Sequence, residues 1–323
     1  MSFKTTQEIP TLRVVCGPTA SGKSAISLFL AEKERAEILS IDSMKVYRRL
    51  DLGTAKPDEQ TRARVVHHLI DIVEPSQTFS VAEFEREAMR IVADKTEHGI
   101  ALVGEGGTPL YLKALTEGLF AGPGRDDAIR AKLEHEAETM GLPALYARLQ
   151  SVDKKACEKI LPGDLRRVVR ALEVYELTGN PISDLQSQWG GMRSDIDVRL
   201  ACLNLPRAEL YRRIDARVDA MLAAGWVDEC RALLALDPPL SKEASQALGY
   251  RTLFEHLNGG MPLKDARDRI CFDTHHFARR QLNWFRHMPS IRFVEVAEGD
   301  DLATIARNVE NAWELGSPND KAG

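Results

Sequence analysis

The pattern that most constrains the fold is a glycine-rich loop at residues 17–24, which reads G-x-x-x-x-G-K-S. The residues just before it have strand character, and those just after it have a helical pattern. In such a loop the backbone N–H groups and the N-terminus of the following helix form a nest for a diphosphate or triphosphate. Gly17 and Gly22 let the backbone approach the anion, Lys23 supplies a charge, and the Ser24 hydroxyl is placed to bind Mg²⁺. The loop predicts a ligand class but leaves the reaction open.

Length and composition narrow the possible classes of protein. At 323 residues the chain is long for a single core, which favours one large domain and a smaller one. It has no apolar run long enough to span a membrane and no apolar signal core in residues 1–10, so a cytoplasmic location is expected. The five cysteines are scattered and never spaced C-x-x-C, which argues against a disulfide framework or a zinc site. The net charge of −5 argues only weakly against a nucleic-acid partner, because local clustering of basic residues matters more.

Asp42 follows the next predicted strand, residues 37–41. Ligands of open α/β sheets bind beyond the carboxyl ends of the strands, so Asp42 should point into the same crevice as the loop. Its carboxylate could hold Mg²⁺, act as a general base, or cap a following helix. The residues alone leave these three roles open.

A second glycine-rich turn, residues 104–108, follows a buried strand at 100–103. Its adjacent glycines allow a close approach of the backbone to a ligand, and Thr108 adds a hydroxyl at the head of the next helix. Phosphoryl-transfer enzymes usually place an acid at the end of an apolar strand to hold Mg²⁺. Val103-Gly104-Glu105 matches that arrangement poorly, which makes a kinase less favoured.

Together these patterns predict an α/β protein with a P-loop NTPase-like core, in which helices flank a parallel sheet, plus an all-helical insertion domain. We expect the core to span residues 1–122 and 192–316, and the insertion to span residues 123–191. Residues 317–323 are predicted to form a disordered tail.

Two arginine-rich segments are candidate RNA contacts. The predicted helix that starts at Asp164 carries Arg166, Arg167 and Arg170, for which the pattern alone favours an ordinary solvated face. Residues 267–292 interleave arginines with histidines and aromatic side chains and contain few acids. Such a composition is typical of chains that contact an RNA backbone and unstacked bases, although a basic solvated helix has the same composition.

An ordered series of motifs from about residue 12 to 290 resembles the tRNA dimethylallyltransferase (tRNA isopentenyltransferase) family. Beyond the loop each motif is weak alone, but the ordered set is highly specific. The motifs are residues 17–24, Asp42-Ser43 with Val46-Tyr47, Gly53-Thr54-Ala55-Lys56-Pro57, His67-His68-Leu69-Ile70-Asp71, Gly106-Gly107-Thr108-Pro109-Leu110-Tyr111, Arg170-Ala171-Leu172-Glu173-Val174, Gly249-Tyr250-Arg251 and Arg279-Arg280-Gln281 with Trp284-Phe285-Arg286.

The resemblance implies transfer of a dimethylallyl group from dimethylallyl diphosphate to the exocyclic amine of the adenosine just 3′ of the anticodon in tRNA. Diphosphate is then a leaving group, and Mg²⁺ is the expected cofactor, with Ser24 as its ligand. By the same resemblance the catalytic residues are Asp42 as general base, Thr108 and Lys23. The diphosphate would be held by Gly17, Pro18, Thr19, Ala20, Ser21, Gly22, Lys23, Ser24, His67 and Arg217.

The resemblance also implies a set of tRNA contacts, with the helical insertion gripping the anticodon stem-loop. They are Asp42, Ser43, Met44, Lys45, Thr108, Arg130, Arg166, Arg167, Val168, Val169, Arg170, Gln246, Gly249, Tyr250, Arg251, Arg279, Arg280 and Gln281. A monomer without a membrane partner is expected.

Two departures from the family pattern stand out. Gly104-Glu105 looks like extra length before the glycine turn, and His275-His276 stands where the family more often has arginine. Three other functions remain as alternatives: prenylation of free adenine nucleotides, a small-molecule or nucleoside kinase, and an RNA-binding regulator that uses the loop as a nucleotide switch.

Overall fold

The computed structural model describes residues 9–119, 122–187 and 191–315. The predicted disordered tail lies outside these residues, as does most of the polar N-terminal segment. The strands are β1 (Thr11–Cys16), β2 (Glu37–Ile41), β3 (His67–His68), β4 (Leu102–Gly106), β5 (Asp197–Asn204) and β6 (Ile291–Glu295).

Fourteen α-helices are formed by the described residues. They are α1 (Lys23–Glu34), α2 (Glu59–Arg64), α3 (Val81–Glu97), α4 (Pro109–Glu117), α5 (Asp127–Met140), α6 (Leu142–Val152), α7 (Leu165–Thr178), α8 (Ile182–Ser187), α9 (Arg207–Ala223), α10 (Trp226–Leu234), α11 (Lys242–Ser245), α12 (Tyr250–Leu257), α13 (Leu263–Arg286) and α14 (Leu302–Glu314). None of them is long and apolar enough to cross a membrane.

The six strands form one parallel sheet in the order β3-β2-β4-β1-β5-β6. Successive side chains of a strand point to opposite faces, so each central strand contributes to two cores. Val14 packs on one face with Phe84 and Phe285, and Val15 packs on the other with Ile26 of α1. Helices therefore cover both faces of a parallel sheet, which confirms the predicted fold class.

The chain divides into two compact units. One comprises Met1–Thr116 and Arg193–Gly323, and the other comprises Glu117–Met192. The described part of the second unit is helical, with α5 to α8 packed around a core that includes Leu133, Leu149 and Leu172.

Helix ends follow local chemistry. The Ser80 side chain accepts a hydrogen bond from the backbone N–H of Glu83, and the Glu83 carboxylate accepts one from the backbone N–H of Ser80. This reciprocal pair satisfies two donors that the first turn of α3 leaves free. It confirms the capping box that the spacing of the two residues predicts.

Candidate active site

The phosphate loop (residues 17–24) connects β1 to α1 at the carboxyl end of the sheet. It turns back on itself, because the N–H of Ser21 donates to the carbonyl of Pro18 at 3.2 Å. Gly22 precedes α1 with φ 91°, a left-handed conformation that glycine adopts without steric cost. A Cβ atom on Gly17 would lie 2.7 Å from Ser21 Oγ and 3.3 Å from the carbonyl oxygen of Leu203, so the loop packs closely at this position.

Glu105, on β4, lies directly behind the loop. Its Oε1 accepts a hydrogen bond from Ser24 Oγ at 2.9 Å, and its Oε2 accepts one from Lys45 Nζ, also at 2.9 Å. Glu105 and Lys45 are only 3 % and 5 % exposed. A buried carboxylate and a buried ammonium group therefore connect the loop to the segment that follows β2.

The electrostatics of this cluster depend on its burial. Burial lowers the pKa of Lys23, and the nearby charges of Lys45 and Arg217 also lower it, whereas those of Glu105 and Asp42 raise it. Burial alone would raise the pKa of Glu105, but the charges of Lys45 and Lys23 and the hydrogen bonds from Lys45 and Ser24 outweigh it and bring that pKa down to about 2. Glu105 is therefore an anion at neutral pH.

Asp42 occupies the position just after β2. Its Oδ1 accepts hydrogen bonds from the backbone N–H groups of Met44, at 2.8 Å, and Lys45, at 3.3 Å. The residues after it form a turn rather than a helix, so the helix-cap interpretation is wrong. No hydrogen-bond donor within the described part of the chain contacts its Oδ2, which leaves one carboxylate oxygen available for chemistry.

Thr108 lies beside Asp42. Its Oγ1 accepts a hydrogen bond from the backbone N–H of Ser43 at 3.1 Å, and its own N–H donates to the carbonyl of Ile41 at 3.4 Å. The two glycines before Thr108 allow a close approach of the backbone, and what they approach is the backbone of other segments of the chain. A Cβ on Gly106 would lie 2.1 Å from Ile41 O, and one on Gly107 would lie 2.8 Å from Gly17 O.

Gly104-Glu105, which look like extra length relative to the family pattern, do not bulge out of the sheet. Both residues lie inside β4 in regular register, with Gly104 paired to Val14 and Leu39, and Glu105 paired to Val15 and Ser40. Sequence reasoning also missed Glu105 as a site residue, because a single acid after an apolar run differs little from an ordinary loop acid. The poor match of Val103-Gly104-Glu105 to a magnesium-binding acid also argued against a role for Glu105, yet the Glu105 carboxylate does contact Ser24.

A cleft of about 1100 Å³ opens beside the phosphate loop. Lys23, Ser24 and Arg217 line it, and basic side chains outnumber acidic ones along its wall. Asp42 does not line this cleft. Burial lowers the pKa of Arg217 below its ordinary value, and the nearby charge of the Asp42 carboxylate offsets part of that effect. His67 also lies outside the lining, and burial lowers its pKa, so its imidazole is neutral at pH 7.

The predicted tRNA contacts fall into three groups. Some are half-buried, namely Asp42, Ser43, Met44, Thr108, Arg130 and Arg170. Several side chains are exposed, namely Arg166, Arg167, Gln246, Arg251, Arg279 and Arg280. Others are buried, so their side chains are not available to a ligand at the surface: Lys45, Val168, Val169, Tyr250 and Gln281. Gly249 is buried too. It packs so tightly that an added Cβ atom would lie 2.2 Å from the ring of Trp226.

Several of these predicted contacts have structural partners within the chain. Arg130 and Arg170 both pair with the buried carboxylate of Glu173, at 2.8 and 2.7 Å. Tyr250 donates its hydroxyl to Glu229 Oε1 at 2.6 Å. His275, one of the departures from the family pattern, stacks on Tyr211 with ring centroids 4.0 Å apart. Its Nε2 lies 2.8 Å from Asp215 Oδ1.

Known proteins of one family resemble this chain in sequence. A family model described as IPP transferase matches residues 45–288, which is most of the chain. The chain belongs to this family. A tRNA dimethylallyltransferase of Geobacter metallireducens is 45% identical to it over 293 residues, which cover 90% of this chain and 94% of the relative. A tRNA dimethylallyltransferase of Roseiflexus castenholzii is 47% identical over 285 residues, which cover 88% and 92%.

Solved structures of IPP transferase relatives resemble the whole fold. The tRNA isopentenylpyrophosphate transferase of Bacillus halodurans is 34% identical, with a TM-score of 0.67 over 95% of this chain and 99% of that one. A eukaryotic dimethylallyltransferase acting on tRNA is 26% identical, with a TM-score of 0.76 over 93% of this chain and 77% of that one. The structural likeness therefore agrees with the family match.

Proposed function

We propose that this IPP transferase moves a dimethylallyl group from dimethylallyl diphosphate to the exocyclic amine of the adenosine 3′-adjacent to the anticodon in tRNA. The observation that carries the proposal is a carboxylate beside an anion-binding loop. The turn that carries Asp42 is hydrogen-bonded to Thr108, and Gly107, next to Thr108, packs against Gly17 of the loop. The charge of Asp42 also acts on Lys23 and Arg217. The relatives named above are tRNA dimethylallyltransferases.

The reaction breaks the bond between the allylic carbon and the diphosphate oxygen, and it forms a bond from that carbon to the adenine nitrogen. The amine is weakly nucleophilic because its lone pair is conjugated with the purine, so a base is useful. The free Oδ2 of Asp42 takes the proton from the amine. Lys23, Arg217 and the N–H groups of the phosphate loop stabilise the negative charge that develops on the departing diphosphate.

Magnesium fits the residues at the head of α1. Ser24 donates its hydroxyl proton to Glu105, so its oxygen lone pairs are available to a cation. The described residues contain no cluster of three or more His, Cys, Asp or Glu side chains that could hold a metal ion. Mg²⁺ suits such a site, because it usually binds a few protein oxygens together with substrate phosphates and water. When bound, it would neutralise charge on the diphosphate, with Ser24 as its protein ligand.

Transfer RNA is the proposed second substrate. Exposed arginines of the helical unit, Arg166 and Arg167, and of α13, Arg279 and Arg280, are available to the phosphate backbone. The target adenine must leave the base stack to reach Asp42, as bases do in other enzymes that act on them. We also infer that the enzyme acts in the cytoplasm. We infer a monomer as well, since the residues around the phosphate loop and Asp42 come from one unit of one chain.

The test is incubation with labelled dimethylallyl diphosphate, Mg²⁺ and unmodified tRNA, followed by nucleoside analysis. The expected product is N6-isopentenyladenosine at the position after the anticodon. The same tRNA with guanosine at that position is the control and should stay unlabelled. Label in free adenine nucleotides but not in tRNA, or no label in any product, would overturn the proposal.

A further inference from the structure

The buried carboxylate of Glu105 takes no part in the bond breaking or proton transfer described above, although it contacts Ser24, the proposed magnesium ligand. Ser24 and Lys45 are its two hydrogen-bond partners. Because Glu105 is only 3 % exposed, neither contact is a solvent-screened surface pair. A charge buried at this depth needs partners of good geometry, and Glu105 has one for each oxygen.

The Ser24 contact sets the direction of a hydroxyl group. A serine hydroxyl has one proton and two acceptor lone pairs. With the proton committed to Glu105 Oε1 at 2.9 Å, the lone pairs of Ser24 Oγ turn away from the carboxylate. Ser24 also lines the cleft beside the loop, so the freed lone pairs are available where an oxygen ligand for a cation is needed.

The Lys45 contact reaches the other half of the site. Lys45 Nζ donates to Glu105 Oε2, and the backbone N–H of the same residue donates to Asp42 Oδ1 at 3.3 Å. Glu105 therefore holds both the first turn of α1 and the turn that carries Asp42. The regular pairing of β4 with β1 and with β2 keeps Glu105 between these two segments.

We propose that Glu105 is a positioning residue that directs the Ser24 oxygen toward magnesium diphosphate and, through Lys45, holds the Asp42 turn against the phosphate loop. This inference deepens the proposed function and rests on it. Partners that orient a metal ligand in this way are commonly worth 10- to 100-fold in metal affinity. A purely structural ion pair would have no such effect on ligand binding, and well-packed apolar residues could replace it.

The experiment compares the wild type with Glu105→Leu/Lys45→Met and with Glu105→Gln. Thermal unfolding reports stability, and calorimetry reports binding of inorganic pyrophosphate with Mg²⁺ or with EDTA. We expect the double variant to unfold near the wild-type temperature and to bind pyrophosphate about 10- to 100-fold more weakly with Mg²⁺. In EDTA, the wild type and the double variant should bind pyrophosphate with equal affinity. A folded variant with unchanged affinity in Mg²⁺, or with the same loss in EDTA, would overturn the proposal.

A double-mutant cycle keeps the test decisive if the apolar replacement does not fold. Ser24→Ala and Ser24→Ala/Glu105→Gln should bind magnesium pyrophosphate with the same reduced affinity, because Glu105 acts through Ser24; additive losses would contradict this. Ser27→Ala is the matched control on α1, since its buried hydroxyl has no hydrogen-bond partner in the described structure, and its affinity should be unchanged. Pyrophosphate binding requires neither tRNA nor prenyl transfer, so failure here is distinguishable from failure of the proposed function.

Discussion

Gln281, near the end of α13, accepts a hydrogen bond at Oε1 from the backbone N–H of Thr19 in the phosphate loop, with 2.9 Å between the atoms. Its Nε2 donates to the carbonyl of Gly107 at 2.6 Å. One buried amide thus ties α13 to both glycine-rich segments. Gln281 was predicted as a tRNA contact, and this position gives it a role inside the protein.

Replacing Gln281 by leucine should destabilise the fold by about 1–3 kcal/mol, because a buried carbonyl and a loop N–H lose their partner. Chemical denaturation measures the change. Asn283→Leu is the control, since Asn283 is exposed on the same helix and should shift stability by less than about 0.5 kcal/mol. Equal effects of the two substitutions would show that the amide does not hold the loop.

Asp42→Asn should lower the rate of prenyl transfer by about 10²- to 10⁴-fold while tRNA binding is retained. Asparagine still offers an Oδ1 acceptor to the N–H groups of Met44 and Lys45, so the turn should survive without the base. Single-turnover assays and filter binding measure the two quantities. Asp228→Asn, at an exposed carboxylate on α10, is the control. Wild-type turnover by the Asp42 variant would exclude the base assignment.

Arg166→Ala and Arg280→Ala should each weaken tRNA binding and reduce the slope of log affinity against log salt by about 1. Both side chains are exposed and would release counterions on meeting a phosphate. The measurement is a salt titration of tRNA affinity. Arg86→Ala is the control, because Arg86 is exposed and pairs with Glu87 on α3. A slope that stays at the wild-type value would remove that arginine from the interface.

Gly249→Ala should destabilise the protein by several kcal/mol, because two costs add. Gly249 has φ 84° and ψ −39°, a sparsely populated conformation that costs an alanine side chain about 1–3 kcal/mol. Its new Cβ would also lie 2.2 Å from the Trp226 ring, a clash worth about 1–3 kcal/mol more. Gly99→Ala is the comparison without a clash, since Gly99 also has a positive φ, 66°, and nothing within 4 Å of such a Cβ. Denaturation curves that coincide for the two variants would refute the clash.

Glu173 should make stability depend on pH in the acid range. Burial raises its pKa, but hydrogen bonds from Arg130 and Arg170 outweigh that effect, so the folded pKa lies below the ordinary 4.5. A carboxyl with a lowered folded pKa contributes stability above the unfolded pKa and loses it as the pH falls through the folded value. Glu173→Gln should therefore be less stable than the wild type at pH 7, and the difference should shrink below about pH 4.5.

Thermal unfolding between pH 7 and pH 3 measures this difference. Glu138→Gln provides the comparison, because Glu138 is an exposed carboxyl on α5 and should follow the wild type throughout. A stability gap for Glu173→Gln that stays constant with pH would show that the pairs with Arg130 and Arg170 do not carry the dependence.

The sequence by itself determined the features whose physics is local. The phosphate loop is recognisable because its glycines, lysine and serine act within one strand–turn–helix, and the Ser80–Glu83 capping box acts within one helical turn. The parallel sheet also followed from alternating strand and helix patterns. Local spacing could not show how short β3 would be: only His67 and His68 pair with β2.

Only the tertiary structure decided what Glu105, Gln281 and Trp226 contact. The partners of Glu105 depend on the register of β4, since a shift of one residue would turn its carboxylate to the opposite face of the sheet. Trp226 lies against both Gly53 and Gly249, where added Cβ atoms would come within 2.4 and 2.2 Å of its ring. Contacts between residues so far apart in the chain depend on how the elements pack, and no short stretch of sequence encodes that packing.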